Sequence, residues 1–115
     1  MQIIFGREAA LQAQEKYTVL ELETIPVEGG QSLEAFCVVP VESLVMEMQS
    51  LEQTVRLHEK FVQAVKNDDV DTCQALASQL VGKFGGELDT FYQIINNRCR
   101  DTGSTAFTVP PPADD

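Results

Sequence analysis

The hydrophobic period of this chain changes for good at Pro40, and that change limits the folds open to it. Before Pro40, strand-like alternation dominates; after it, apolar residues recur at helical spacing for about sixty residues and strand signals do not return. A chain patterned this way cannot build interleaved strand–helix–strand units along its whole length. It predicts an α+β fold: a small N-terminal antiparallel or mixed sheet of two to three strands, packed by a C-terminal three-helix segment.

The first half supplies the sheet. Met1, Ile3 and Phe5 alternate as in a short strand, and Gly6 punctuates it. Residues 7–16 are rich in strong helix formers, with Ala10, Ala13 and Tyr17 on one side, so a helix with a narrow buried face follows. Residues 17–25 return to a period of two. Leu20 and Leu22 share a face with Thr18 and Thr24, while Val19, Glu21 and Glu23 share the wet one. Gly29-Gly30 marks a hairpin loop within residues 26–32, and residues 33–39 are the returning strand. Its Phe36-Cys37-Val38-Val39 run offers apolar side chains to both faces, which predicts a central place in the sheet.

The second half supplies the cover. Residues 42–48 predict a helical turn or two. A helix over 51–66 carries Leu51, Val55, His58, Val62 and Val65 on one stripe, with Phe61 beside it. Asn67 suits the end of that helix, and the Asp68-Asp69 pair suits the cap and first turn of the next. Residues 70–83 then place Val70, Cys73, Leu76, Ala77, Leu80, Val81 and Phe84 on one face. Gly85-Gly86 breaks the pattern before a last helix with Leu88, Phe91, Tyr92, Ile95 and Cys99, ending near Arg100. A length of 115 residues with 43% apolar and 23% charged residues is one globular domain's worth, expected over residues 1–100. Residues 101–115, with three consecutive prolines and a terminal Asp pair, predict a flexible acidic tail.

Charge narrows the function. Eight basic against 18 acidic residues give a net charge of −10, which repels nucleic acid and anionic membrane surfaces. Lys83, Arg98 and Arg100 are too few for a nucleic-acid patch. The longest nearly apolar stretch, residues 36–41, contains Pro40 and is far short of a membrane span, and the N-terminus lacks the pattern of an export signal. Three dispersed cysteines suit a reducing cytoplasm better than a disulfide framework.

Few residues could carry chemistry. His58 stands in the middle of a helix stripe, where an imidazole reads first as a partly buried group with a hydrogen-bond partner. Cys37 as a nucleophile needs a base and an electropositive setting that an acidic chain does not offer. These two are the candidate binding residues, with Glu21 or Glu23 as a carboxylate partner across the hairpin; no catalytic set is expected. Cys73 and Cys99 occupy apolar helix positions with no Cys or His at ligand spacing, so no metal is expected. Asn67, Asp69 and Asp71 mimic the start of a calcium loop, but Thr72 replaces its glycine and Ser78 its bidentate glutamate. Gly82-Lys83-Phe84-Gly85-Gly86 has neither the preceding strand nor the Lys-Ser or Lys-Thr pair of a phosphate loop. A single helix hairpin around Asn67 has a tetratricopeptide-like outline but is not a repeat.

The opening Met1-Gln2-Ile3-Ile4-Phe5, the strand from Lys16 to Thr24 and the run GKFGGELDTFY from Gly82 to Tyr92 together resemble a group of small uncharacterised proteins of marine cyanophages and ocean metagenomes. The likeness covers residues 1–98. It implies a phage-encoded cytoplasmic protein with a virion-assembly or host-modulating role exercised by binding, and carries over no catalytic residues. The expected function is therefore a non-enzymatic protein-interaction module with a protein partner, of basic character, or a homo-oligomer, and with no cofactor. The alternative is a small enzyme or ligand-binding domain using Cys37 or His58.

Overall fold

A computed structural model describes residues 1–106. Three strands, β1 (Gln2–Phe5), β2 (Thr18–Pro26) and β3 (Ser32–Val39), form one antiparallel sheet in the order β1-β3-β2. A short helix, α1 (Arg7–Ala13), follows β1, and α2 (Leu51–Lys66), α3 (Val70–Leu80) and α4 (Asp89–Thr102) follow the sheet. The protein is α+β, with three strands and the C-terminal helices on one face. No described helix is long and apolar enough to cross a membrane.

β3 takes the central place its doubly apolar run predicts. Ala35, Cys37 and Val39 point into the core with Leu20 and Leu22 of β2, beneath Phe61, Leu80, Phe84, Leu88, Phe91, Tyr92 and Ile95. Phe36 and Val38 face the other way and are also buried; the Arg7 guanidinium lies 5.7 Å from the Phe36 ring centroid. The narrow face of α1 buries Ala10 alone.

The local details depart from the simple pattern in four places. A bulge in β2 between Glu21 and Thr24 adds one residue against β3, so Thr24 is exposed and Ile25 packs against the core. Thr24 therefore does not share the face of Leu20 and Leu22. The expected helix over 70–83 stops at Leu80, because Val81 is extended and Gly82 has φ +88 with its N–H donating to Asp89 Oδ1 at 2.8 Å. Phe84 consequently reaches the core from a 3₁₀ turn, Phe84–Gly86, with φ +53.

At the close of α2 the left-handed position is taken by Asp68 (φ +56), one residue beyond Asn67. The N–H groups of Asp69 and Asp68 donate to the carbonyls of Ala64 (2.9 Å) and Val65 (3.2 Å), which are the two bonds of a Schellman close. Asp69 then caps α3, accepting from the Thr72 N–H.

The boundary expected at residue 100 falls inside α4, which runs to Thr102 and ends at Gly103 (φ +70). Thr105 is 1% exposed and donates its hydroxyl to the Val65 carbonyl at 2.6 Å. Asp68 accepts from the Thr105 N–H and the Ser104 hydroxyl, both at 2.8 Å. Residues 101–106 thus belong to the domain, while the rest of the expected tail, residues 107–115, lies outside the described residues.

Candidate functional site

His58 is positioned by the α2 stripe and is 1% exposed. Its Nε2 lies 2.6 Å from the Glu21 carbonyl, which can only accept, so Nε2 carries the proton. Its Nδ1 lies 2.8 Å from the Tyr92 hydroxyl and accepts from it. Phe84, Phe91 and Tyr92 surround the ring with centroids 6.0, 6.3 and 5.8 Å away. Burial pushes the imidazole down from 6.5 to about 4, against the pull of Glu21. The ring is neutral, doubly bonded and closed off: it ties β2 to α4 through α2 and has no nitrogen left for a substrate.

Cys37 is fully buried, and burial pushes its thiol up to about 11. Burial likewise pushes the Cys73 thiol up to about 12. All three are free cysteines. Glu23, the other carboxylate named with Cys37 and His58, instead holds Arg98 at 2.9 and 3.3 Å, and Arg98 also donates to the Thr105 carbonyl. The structure brings Glu21 to His58 through its backbone, and leaves Cys37 and Glu23 in separate settings. Among the described residues no group of three or more His, Cys, Asp or Glu side chains converges as a metal site.

Beside His58, a cleft of about 370 Å³ opens between α1, β2 and α2. Its polar wall holds Arg7, Glu21, Glu59 and Lys66 above a floor that includes Phe36 and Val62. Lys66 Nζ lies 2.6 Å from Glu21 Oε2, and Arg7 lies 2.6 Å from Glu34. Sequence reasoning named Glu21 but missed Arg7 and Lys66, which stand 14 and 45 residues from it; Lys66 meets Glu21, and Arg7 meets Glu34, only through the fold. Both cations here are paired with carboxylates, so the cleft offers no unpaired cation to draw an anion.

The opposite edge of the sheet differs. At the β2 edge, α2 lies against the strand: His58 Nε2 donates to the Glu21 carbonyl, and Lys66 pairs with the Glu21 carboxylate. At β1, no described strand lies beyond Gln2–Phe5. The Gly6 N–H donates inward to the Glu34 carbonyl at 2.9 Å, so by the alternation of an antiparallel ladder Gln2 and Ile4 also turn their backbone groups inward. Ile3 and Phe5 turn theirs outward. Their side chains, 42% and 49% exposed, join Met1 and Ile94 around a shallow apolar hollow of about 130 Å³ floored by Leu22, Ala35 and Phe91. The signal for this face, the alternation of Met1, Ile3 and Phe5, was visible in the sequence; that the helices leave it uncovered was not. Val45 and Met46 are also exposed, on the 3₁₀ segment Val41–Glu47 after β3, with exposed Met48 just beyond it.

No protein family, no curated protein and no solved structure matches this chain. Among the described residues, what the fold defines is an α+β protein with one sheet edge covered by a helix and the other open.

Proposed function

We propose that this protein is a non-enzymatic interaction module that engages a protein partner through the apolar face and free edge of β1. The observation that carries the reading is the outward backbone of Ile3 and Phe5 standing beside exposed Met1, Phe5 and Ile94. The burial of His58 and of all three thiols supports binding over catalysis. Three free thiols also suit a reducing compartment such as the cytoplasm, and a phage assembly or host-modulating role is the setting we attach to this reading.

The test is a photoreactive amino acid placed at position 5 and, as a control, at exposed position 12. A partner that crosslinks from position 5 alone, and is released by Ile94→Asp without loss of helix content, supports the reading. Equal crosslinking from both positions, or indifference to Ile94→Asp, overturns it. The cleft between α1, β2 and α2 supports a second reading, a small zwitterionic ligand exchanging with the Lys66–Glu21 pair. Lys66→Met should abolish any such binding while leaving β1 contacts intact.

A further inference from the structure

We propose that the partner on this face is a second copy of the chain, joined by antiparallel pairing of β1 with β1 about a two-fold axis at Ile4. The proposal rests on the reading of the β1 face as a docking surface. It follows from the backbone before any side chain is considered.

An antiparallel pair of identical strands is related by an axis perpendicular to the sheet, so the core-facing side of both copies lies on the same side. Residues directly opposite must then come from the same face of β1, which sets odd-numbered residues against odd. The outward backbone groups are the N–H and C=O of Ile3 and Phe5. Placing Ile3 opposite Phe5 of the second copy forms a doubly hydrogen-bonded pair, and symmetry repeats it. Every outward group within β1 then has a partner. Sliding to Ile3 opposite Ile3 satisfies that residue and leaves Phe5 beyond the end of the second β1. A one-residue slip sets outward groups against inward ones. One register alone saturates the edge.

The side chains agree with that register. Ile3 and Phe5, 42% and 49% exposed, become cross-strand neighbours twice over, an aromatic–β-branched pairing, and Met1 and Ile94 flank them. Charge agrees as well. A chain of net charge −10 repels its own copy over most of its surface, but residues 1–7 contain no Asp or Glu, and Arg7 is balanced by Glu34. β1 is a neutral strip on an acidic body, suited to a like copy, and the carboxylates beside it are already held, Glu23 by Arg98 and Glu87 by the Met1 amine. The long-range repulsion between copies also fixes the salt response: self-association tightens as salt rises, the reverse of what a basic partner would show.

Sedimentation equilibrium of the full chain from about 1 µM to about 1 mM, at low and high salt, reads the equilibrium. The expected result is a monomer–dimer equilibrium that salt strengthens. Ile3→Pro removes an outward N–H that the chain's own ladder does not use, and should weaken the dimer about tenfold or more. Should that variant not fold, Ile4→Cys gives an independent readout. Ile4 meets its own copy in a non-hydrogen-bonded pair with Cα atoms about 4.5 Å apart, within disulfide reach. With oxidised glutathione accepting the two electrons as the two thiols lose their protons, a covalent dimer should form. Gln2→Cys, set opposite Gly6 of the second copy, should form none.

A monomer at every concentration overturns the proposal, as does a dimer that a folded Ile3→Pro variant leaves unchanged or equal crosslinking from positions 2 and 4. A monomer that still crosslinks a different protein from position 5 overturns self-pairing alone. A monomer that crosslinks nothing there overturns the docking face too.

Discussion

Acid should weaken this protein through His58 well before its carboxylates act together. The imidazole is 1% exposed, and the ionisable groups facing it are Glu21 from β2, itself paired with Lys66, and the Tyr92 hydroxyl from α4. In the unfolded chain it takes a proton near 6.5, whereas in the folded protein burial holds it neutral down to about 4. Between those values the unfolded state binds a proton that the folded state refuses, so stability falls as pH falls. The slope is about 1.4 kcal/mol per pH unit for one such proton. From 6.5 down to about 4 the loss sums to about 3 kcal/mol. Against a typical stability of about 5–15 kcal/mol for a domain, that is a large share.

The assay is urea unfolding followed by circular dichroism at successive pH values, on the native protein and on His58→Gln. Glutamine keeps an N–H for the Glu21 carbonyl and an oxygen for the Tyr92 hydroxyl, but does not titrate. At neutral pH the variant should be the less stable by about 1–2 kcal/mol. The gap should close as pH falls below 6.5 and reverse toward 4. The difference between the two proteins cancels the carboxylates they share. Parallel stability curves across this window would refute the assignment of a buried neutral imidazole.

Gly85→Ala should cost about 2–4 kcal/mol in thermal unfolding, because a Cβ there stands 2.5 Å from the Ser43 carbonyl oxygen at a φ of +65. Gly103→Ala, with φ +70 but nothing within 4 Å, should cost only about 1 kcal/mol; equal losses would refute the steric part. Asp68→Gly, which removes the carboxylate yet suits the left-handed φ of +56 that closes α2, should release Ser104 and Thr105, seen as faster amide exchange at Thr105 with α2 unaffected, whereas unchanged exchange would count against this clasp. The Thr105 N–H and the Ser104 hydroxyl hold the Asp68 carboxyl below 3.8, so the clasp's contribution is whole above 3.8 and is lost as pH falls through that lowered value. Cys37, Cys73 and Cys99 should resist a water-soluble thiol reagent in the folded protein and all react after unfolding. A thiol that reacts rapidly in the native state would contradict the packing described.

Features governed by one stretch of chain were legible in the sequence. The stripe of α2 placed its bounds at Leu51 and Lys66, and the Phe36–Val39 run placed β3 at the sheet's centre, since a strand apolar on both faces has no wet side to offer. Features settled by distant partners were not. The β2 bulge depends on how β3 meets it, and the left-handed Phe84 depends on a core that pulls the ring inward across a glycine-rich break. Thr105 looked like part of a tail because its partner, Asp68, stands 37 residues away. His58 and Cys37 were singled out by scarcity; the fold shows each enclosed, and puts the open surface at a strand the sequence marked only as short.

The sheet and its cover are separated along the chain, which matters during synthesis. All three strands lie before residue 40, yet the side chains that roof them, such as Leu80, Phe84, Tyr92 and Ile95, come last. At a translation rate of about 5–20 residues per second, roughly 3–12 s pass between completing β3 and completing α4. Until α2 is made the nascent sheet has two bare edges instead of one, and until α4 is made its apolar underside lacks part of its roof. The ribosome-bound chain is then at its stickiest, and a helper that shields short strands would act on this protein before its helices are made.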